Sequence, residues 1–350
     1  MKTIKVNGSQ GISNIYVGES INNVCKYLPQ GRQCVVITDS NVKRYYEQYF
    51  PSGSPVITIS TGEEIKTLAT VEIIIKELIE LSADRSTFIL GIGGGIVCDI
   101  TGFVASIYMR GVDFAFVSTT LLSQVDASVG GKNGVNFDSY KNMVGRFCQP
   151  KFVICDPTLL KTLPNEEISN GFAEIVKHAL IADAKMLNYI ESNIDRALTL
   201  DSNVISSLVE DSVRLKASVV ERDEKEAGER KKLNFGHTLG HALEKLKPIG
   251  HGRAVSIGMA AAALFSLKKG LLNQSEFNRI KIALKSMHLP VDCKEFLDNS
   301  NAIFDELLSA MSKDKKKDND KISFVFLNGI GNAVVEKITF EELKSLLLNL

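Results

Sequence analysis

The sequence predicts two successive units, a mainly parallel α/β half followed by a mostly helical half. Three observations carry this. Short β-branched runs alternate with helically spaced apolar residues as far as Asp156, which is the pattern of βαβ units. One of those runs, Thr87 to Leu90, passes through clustered glycines into a helical stretch. From Asn165 onward the apolar period is helical, and strand-like runs return only near the end.

Taken in order, Cys34 to Thr38 reads as a strand ending at Asp39-Ser40-Asn41, and Val56 to Ser60 as another. Leu68 to Leu81 is a helix by its spacing, and Thr87 to Leu90, Phe114 to Ser118 and Phe152 to Asp156 are further strands. Helices are expected over Glu166–Asp183, Asn203–Val220, Lys232–Lys245, Ala254–Leu267 and Ser275–Met287, and strands over Ile322–Leu327 and Ala333–Glu336. The boundary is placed at Leu163-Pro164, because proline disfavours helix at the residue before it. Residues 1–163 then form the first domain and 164–350 the second. The mixed-charge run from Asp314 reads as a solvated turn before a terminal hairpin.

Bulk properties narrow the function. Lys plus Arg and Asp plus Glu number 41 each, giving a net charge of zero. No electrostatic footprint for nucleic acid or an anionic membrane exists, so anion recognition must be local. The six cysteines include no CxxC pair, which argues against structural disulfides and a Cys-rich zinc site. The first ten residues lack the apolar core of a signal peptide. The longest apolar stretch, Ala254 to Leu267, falls short of the roughly 20 residues of a membrane span. A reducing cytoplasm is the expected setting.

The segment STFILGIGGGIVCDITGF joins strand to helix through Gly91, Gly93, Gly94 and Gly95. Glycines let backbone N–H groups approach a phosphate, and the start of the next helix favours negative charge. The spacing is not GxGxxG, since Ile96 fills the third glycine's slot. A tight turn with no ligand is the bland alternative. Asp39, ending a strand, is placed to accept hydrogen bonds from ribose hydroxyls.

His237, His241 and His251 fall within fifteen residues. The first two stand four apart, on one helix face. Glu174 lies in an apolar helical stretch beside Lys177 and His178, and a buried carboxylate requires a partner or a metal. Surface pairing of Glu174 with Lys177 or His178 is the alternative. Spacing alone does not select three ligands among Glu174, His178, His237, His241 and His251. Two imidazoles and a carboxylate would suit a catalytic zinc held at roughly 2.0–2.2 Å. Lys132, Lys141, Lys216 and Arg230 adjoin turns or polar clusters, with Asp126 and Asn142 nearby in sequence. Singly, each reads as a solvated surface residue; together they would suit a substrate bearing phosphate and carboxylate.

These segments, in the order GGGIVCDITGFVASIYMRGV, TTLLSQVDASVGGKNGVN, KNMVG, LPNEEISNGFAEIVKHA, ERDEKEAGERKKLNFGHTLGHALE and HG-x-AV, resemble the 3-dehydroquinate synthases. The resemblance runs from about residue 35 to about residue 330. It implies an N-terminal Rossmann-like α/β domain, a C-terminal mostly helical metal-binding domain, and an active site in the cleft between them. By this resemblance Glu174, His237 and His251 hold zinc, with cobalt(II) as a possible substitute. His241 becomes a base and phosphate contact, and Glu226 a second acid/base. NAD is implied at Asp39, Asn41, Glu63, Lys66, Gly94, Gly95, Asp99, Thr119, Thr120, Lys141 and Thr162. Substrate is implied at Asp126, Lys132, Asn142, Lys177, Lys216, Arg230, Asn234 and one lysine of the Lys315-Lys316 pair, taken as Lys316; of these Lys132, Arg230 and Asn234 also have implied catalytic parts. Arg110 matches a residue reaching a partner subunit's site, which implies a homodimer.

The implied reaction takes 3-deoxy-D-arabino-heptulosonate 7-phosphate to 3-dehydroquinate, in the shikimate pathway to the aromatic amino acids. It combines transient oxidation by NAD, β-elimination of phosphate, return of the hydride, ring opening and aldol closure. The chain departs from the family's pattern at Arg253, Asn133 and Glu166, and its His241–His251 span is short. Rival readings are a cyclase making an inosose or valiolone ring, a metal-dependent polyol dehydrogenase, and an inactive dinucleotide-binding subunit. The complete set Lys132, Asn142, Lys216, Arg230, Asn234 and His241 favours the acid substrate.

Overall fold

A computed structural model describes residues 1–9, 11–138, 140–247, 249–292, 306–307 and 321–347. The chain divides into two compact units. The first comprises Met1–Pro164 with Ile205–Lys225, and the second Asn165–Val204 with Glu226–Leu350. A single cut at Leu163-Pro164 does not anticipate that residues 205–225 group with the first unit.

The first unit is built on a seven-stranded sheet. Its elements are β1 (Lys2–Gly8), β2 (Gly11–Val17), β3 (Cys34–Asp39), α1 (Ser40–Tyr46), β4 (Val56–Ile59), α2 (Leu68–Glu80), β5 (Phe88–Gly93), α3 (Gly95–Ile107), β6 (Phe114–Ser118), β7 (Lys132–Phe137), β8 (Tyr140–Phe147) and β9 (Phe152–Cys155). The strand order is β1-β2-β9-β6-β5-β3-β4, parallel throughout except for the β1–β2 hairpin. Val36, Leu90, Ile92, Ala115, Val117 and Ile154 occupy alternate positions and share one core cluster with Tyr46 and Leu159. Their neighbours Val35, Ile37, Ile89, Phe116 and Val153 are buried as well. Burial on both faces explains why these strands read as continuous apolar runs. The chain leaves β3 for β4 at the edge, then returns to β5 on the other side of β3. The carboxyl ends of β3 and β5 therefore form the switch point where such sheets bind ligands.

The second unit contains α4 (Asn165–Ala182), α5 (Ala184–Ser192), α6 (Ile194–Leu198), the first residues of α7 (Ser202–Arg222), α8 (His237–Leu246), α9 (His251–Lys268), α10 (Gln274–Ser286), the antiparallel pair β10 (Lys321–Leu327) and β11 (Ala333–Thr339), and α11 (Phe340–Leu347). In α4, every residue from Ile168 to Ile181 is buried, and α9 is buried along most of its length. No helix among the described residues is long and apolar enough to cross a membrane.

Three expectations change. The helix expected over Lys232–Lys245 is a short 3-10 turn, Glu229–Asn234, and then α8. Gly236, at φ +81°, breaks the two apart, since only glycine takes the left-handed region without strain. The helix expected from Ala254 already begins at His251. The hairpins β1–β2 and β7–β8 are additional; β8 is exposed or half-buried along its whole length, so it carries no apolar alternation to reveal it.

The α8–α9 contact is glycine-made: a Cβ on Gly258 would lie 1.8 Å from the carbonyl oxygen of Gly236. Gly258→Ala should therefore destabilise the protein by about 1–3 kcal/mol, the cost of forced overpacking. Urea unfolding checks this, and an unchanged midpoint would show that the two helices separate freely.

Candidate metal centre and glycine cradle

In the second unit, α4, α8 and α9 converge on the fully buried carboxylate of Glu174. His237 opens α8 and its Nε2 lies 3.8 Å from Glu174 Oε1. His251 opens α9 and its Nε2 lies 3.4 Å from the same oxygen. The short His241–His251 span is accommodated because α8 ends at Leu246 and His251 is the first residue of α9. The approach of α9 to α4 is close. The Gly252 N–H donates to Asn170 Oδ1 at 3.1 Å, and a Cβ on Gly252 would lie 2.4 Å from Asn170 Cα.

Both imidazoles have their second nitrogen engaged. His237 Nδ1 is 3.2 Å from the Phe235 carbonyl oxygen, and His251 Nδ1 is 3.4 Å from Glu244 Oε2. Metal-ligating histidines are oriented in this way. Donors on a tetrahedral ion with bonds of about 2.1 Å stand about 3.4 Å apart, so the spacing and chemistry of Glu174, His237 and His251 fit a zinc-type ion. Lys177, buried one turn along α4, forms an ion pair with Glu174.

The electrostatics follow from burial. Burial alone would raise the Glu174 carboxyl, but Lys177 and the two histidines hold it well below the usual range. Burial, with the Lys177 charge, drives the His237 imidazolium well down, which keeps this ring neutral. His251 is also pushed down by burial, yet its bonds to Glu174 and Glu244 outweigh that and raise it to about 10.

His241 is exposed one turn along α8, its ring centroid 5.0 Å from that of His237. His178 is fully buried in α4, outside the Glu174–His237–His251 set. The Asn234 side-chain amide donates to Glu226 Oε1. Arg230, in the turn between them, is only 2% exposed. The Lys315-Lys316 pair lies outside the described residues.

In the first unit, Gly94 caps α3 without a side-chain acceptor, and a Cβ on it would meet Thr120 Cγ2 at 2.9 Å. The α3 N-terminus thus presents backbone N–H groups at the end of β5 with no side-chain cap bonded to them. At the end of β3, Asp39 Oδ1 accepts from the N–H groups of Asn41 and Val42. Lys66 Nζ donates to Asp99 Oδ2 at 2.5 Å and Asn142 Oδ1 at 2.6 Å. Burial raises the Asp99 carboxyl even against this lysine. Glu63 Oε1 accepts from Asn136, and the Thr162 hydroxyl is 2.6 Å from that of Tyr46. Thr119 is buried, while Lys141 and Lys132 are exposed on β8 and β7. Lys216 Nζ donates to both the side chain and the carbonyl of Asp126 at 2.6 Å. Arg110 is exposed at φ +69°.

Sequence reasoning missed Glu244, Asn170 and the Phe235 carbonyl. Glu244 was legible in principle, because it stands seven residues after His237 on the same face of α8. The Phe235 contact is made by a backbone carbonyl and the Asn170 contact by a side-chain oxygen meeting a backbone N–H, and neither has a sequence signal of its own.

Residues 56–170 match the family described as 3-dehydroquinate synthase N-terminal, and residues 171–317 its C-terminal counterpart. A 3-dehydroquinate synthase of Alkaliphilus metalliredigens is 38% identical over 356 residues, covering 99% of this chain and 98% of its own. Among solved structures, a 2-deoxy-scyllo-inosose synthase complexed with carbaglucose-6-phosphate, NAD+ and Co2+ is similar at TM-score 0.86 and 26% identity, over 98% of both chains. A 2-epi-5-epi-valiolone synthase from Streptomyces hygroscopicus, with NAD+ and Zn2+ bound, matches at TM-score 0.86 and 25% identity over 98% of this chain and 97% of its own.

In the metal-free chain, Glu174→Gln leaves Lys177 as an uncompensated buried charge and should cost roughly 3–5 kcal/mol. Adding Lys177→Met should recover most of that in urea unfolding. Zinc should raise the melting temperature of the unsubstituted chain and not that of Glu174→Gln. Equal stability of all three proteins would show that the pair is not desolvated.

Proposed function

The chain belongs to the 3-dehydroquinate synthase family, and on that premise we propose how its residues divide the conversion of 3-deoxy-D-arabino-heptulosonate 7-phosphate into 3-dehydroquinate and phosphate. The activity is that of a carbon–oxygen lyase, a cyclase that eliminates phosphate. The observation that carries the metal assignment is the buried Glu174 carboxylate with two imidazole Nε2 atoms at 3.4 and 3.8 Å.

In this reading the first unit binds NAD at the ends of β3 and β5, and the second holds zinc, or cobalt(II), through Glu174, His237 and His251. When bound, NAD supplies a hydride acceptor that is regenerated each turnover, and the metal supplies a Lewis acid at the oxygens being oxidised and attacked. The N–H groups at Gly94 and Gly95 would hold the pyrophosphate, and Asp39 would accept from a ribose hydroxyl. Asn41, Glu63, Lys66, Asp99, Thr119, Thr120, Lys141 and Thr162 complete the cofactor contacts.

The remaining residues handle the substrate's charges and protons. β-Elimination needs a base for the acidified C–H and cations for the departing phosphate. The exposed His241 imidazole is suited to moving that proton and touching phosphate. Glu226, its carboxylate held by Asn234, is the second acid/base. Lys132, Lys216, Asp126, Asn142, Lys177 and Arg230 are the residues assigned to the substrate. Arg230 stays charged when buried, so it fixes an anion without a proton-transfer alternative. A homodimer to which Arg110 contributes, a cytoplasmic location and a place in the shikimate pathway belong to the same reading.

Mixing the protein with NAD and the seven-carbon phosphorylated acid should release one phosphate per substrate, stop on chelation, and accumulate no NADH absorbance. Phosphate release that survives complete metal removal sinks the Glu174–His237–His251 assignment, and no release from this acid sinks the substrate reading. Lys216→Met should lower kcat/KM about 10- to 150-fold, the loss of a hydrogen bond to a charged group. An unchanged kcat/KM would remove Lys216 from the substrate site.

A further inference from the structure

We propose that Glu244 is a positioning residue of the metal centre, which holds the His251 ring so that Nε2 faces Glu174. The proposal rests on the reading of Glu174, His237 and His251 as metal ligands. Glu244 and His251 are brought together by the connection between α8 and α9, and Glu244 Oε2 lies 3.4 Å from His251 Nδ1. The side chain of Glu244 is only 4% exposed. A carboxylate so shielded is costly to keep unless it has a partner. It also stands in the last turn of α8, where the negative end of the helix dipole disfavours a carboxylate. A local rule broken in this way beside two imidazoles marks a functional constraint.

The two histidines are held by different acceptors. The Phe235 carbonyl that faces His237 Nδ1 belongs to the backbone two residues away, so that ring is fixed by the chain itself. His251 opens its helix, and the acceptor facing its Nδ1 is the Glu244 side chain. A charged acceptor on Nδ1–H fixes the tautomer with Nε2 as the free donor and raises its basicity toward a cation. Glu244 thus acts on the metal through His251, without itself being required as a ligand.

The test uses the full-length protein, stripped by a chelator and reloaded with zinc or with cobalt(II). Zinc affinity is read by competition against a chromogenic chelator, and coordination by the visible bands of the cobalt form. Glu244→Ala should weaken zinc about 10- to 100-fold and shift the cobalt bands. Glu244→Gln should fall between, because its amide oxygen still accepts from Nδ1–H. His237→Ala, run in parallel, should lose the metal more severely. If His237→Ala loses the metal while Glu244→Ala keeps wild-type affinity and spectrum, the role given to Glu244 is wrong and the metal centre stands. If the unsubstituted protein binds neither ion, the metal reading falls and takes this inference with it. Weakened binding with an unchanged cobalt spectrum would mean that Glu244 only supports the fold, and would also overturn the proposal.

Discussion

The second unit is organised around one unfavourable act, the burial of the Glu174 carboxylate in a helix with no exposed face near it. An ionised group in such a place must be met by opposite charge or by a cation. Lys177 on the same helix supplies part of this. His251, the first residue of α9, supplies more, and His237, the first residue of α8, adds a neutral imidazole 3.8 Å from the carboxylate. Helix starts can reach a buried helix this closely only where side chains are missing, which is why Gly236, Gly252 and Gly258 stand at the contacts among α4, α8 and α9. The glycines and the charged residues are therefore one device. The former bring three backbones together, and the latter make the resulting interior stable only as a set.

The first unit solves a different problem with the same economy. Its sheet is mostly apolar on both faces, so the polar groups it can offer a ligand lie mainly at strand ends and in the flanking turns and helices. The crossing of the chain from β4 back to β5 opens a change of winding direction beside Asp39 and Gly93. Helix α3 then starts without a side-chain cap, leaving its first N–H groups to whatever anion arrives.

Much of this was legible in the residues. The strands β3, β5, β6 and β9 announce themselves because both faces are buried, and α4 and α9 because they are apolar over several turns. The β7–β8 hairpin was not legible, since β8 leaves Tyr140, Met143 and Phe147 exposed among Lys141, Asn142 and Arg146, so neither face is consistently apolar. The break at Gly236 was also hidden: the period continues through it, and only the left-handed backbone there ends one turn and begins the next. In the candidate site, residue types with chemistry of their own, such as the histidines and Glu174, stood out. The residues that hold them did not, because Glu244 and Asn170 act through distance and orientation, which a sequence records only after the helices are in place.

The pairing of cations inside the fold is a way for a chain of zero net charge to offer local positive charge to anionic ligands. Lys66 is joined to Asp99, Lys216 to Asp126, and Lys177 to Glu174. All three lysines are nearly buried, and an unpaired ammonium there would either lose its proton or draw in water. The acids fix the direction of each Nζ before any ligand arrives. An incoming anion then meets cations already oriented and partly stripped of water, so less ordering and desolvation remain to be done on binding. The same arrangement sets a threshold. A neutral polyol gains little beside an intact ion pair, whereas a phosphate or carboxylate can take a share of the lysine from its resident acid. Under the proposed assignment, selectivity for an anionic ligand would follow from local pairs and need no overall positive field.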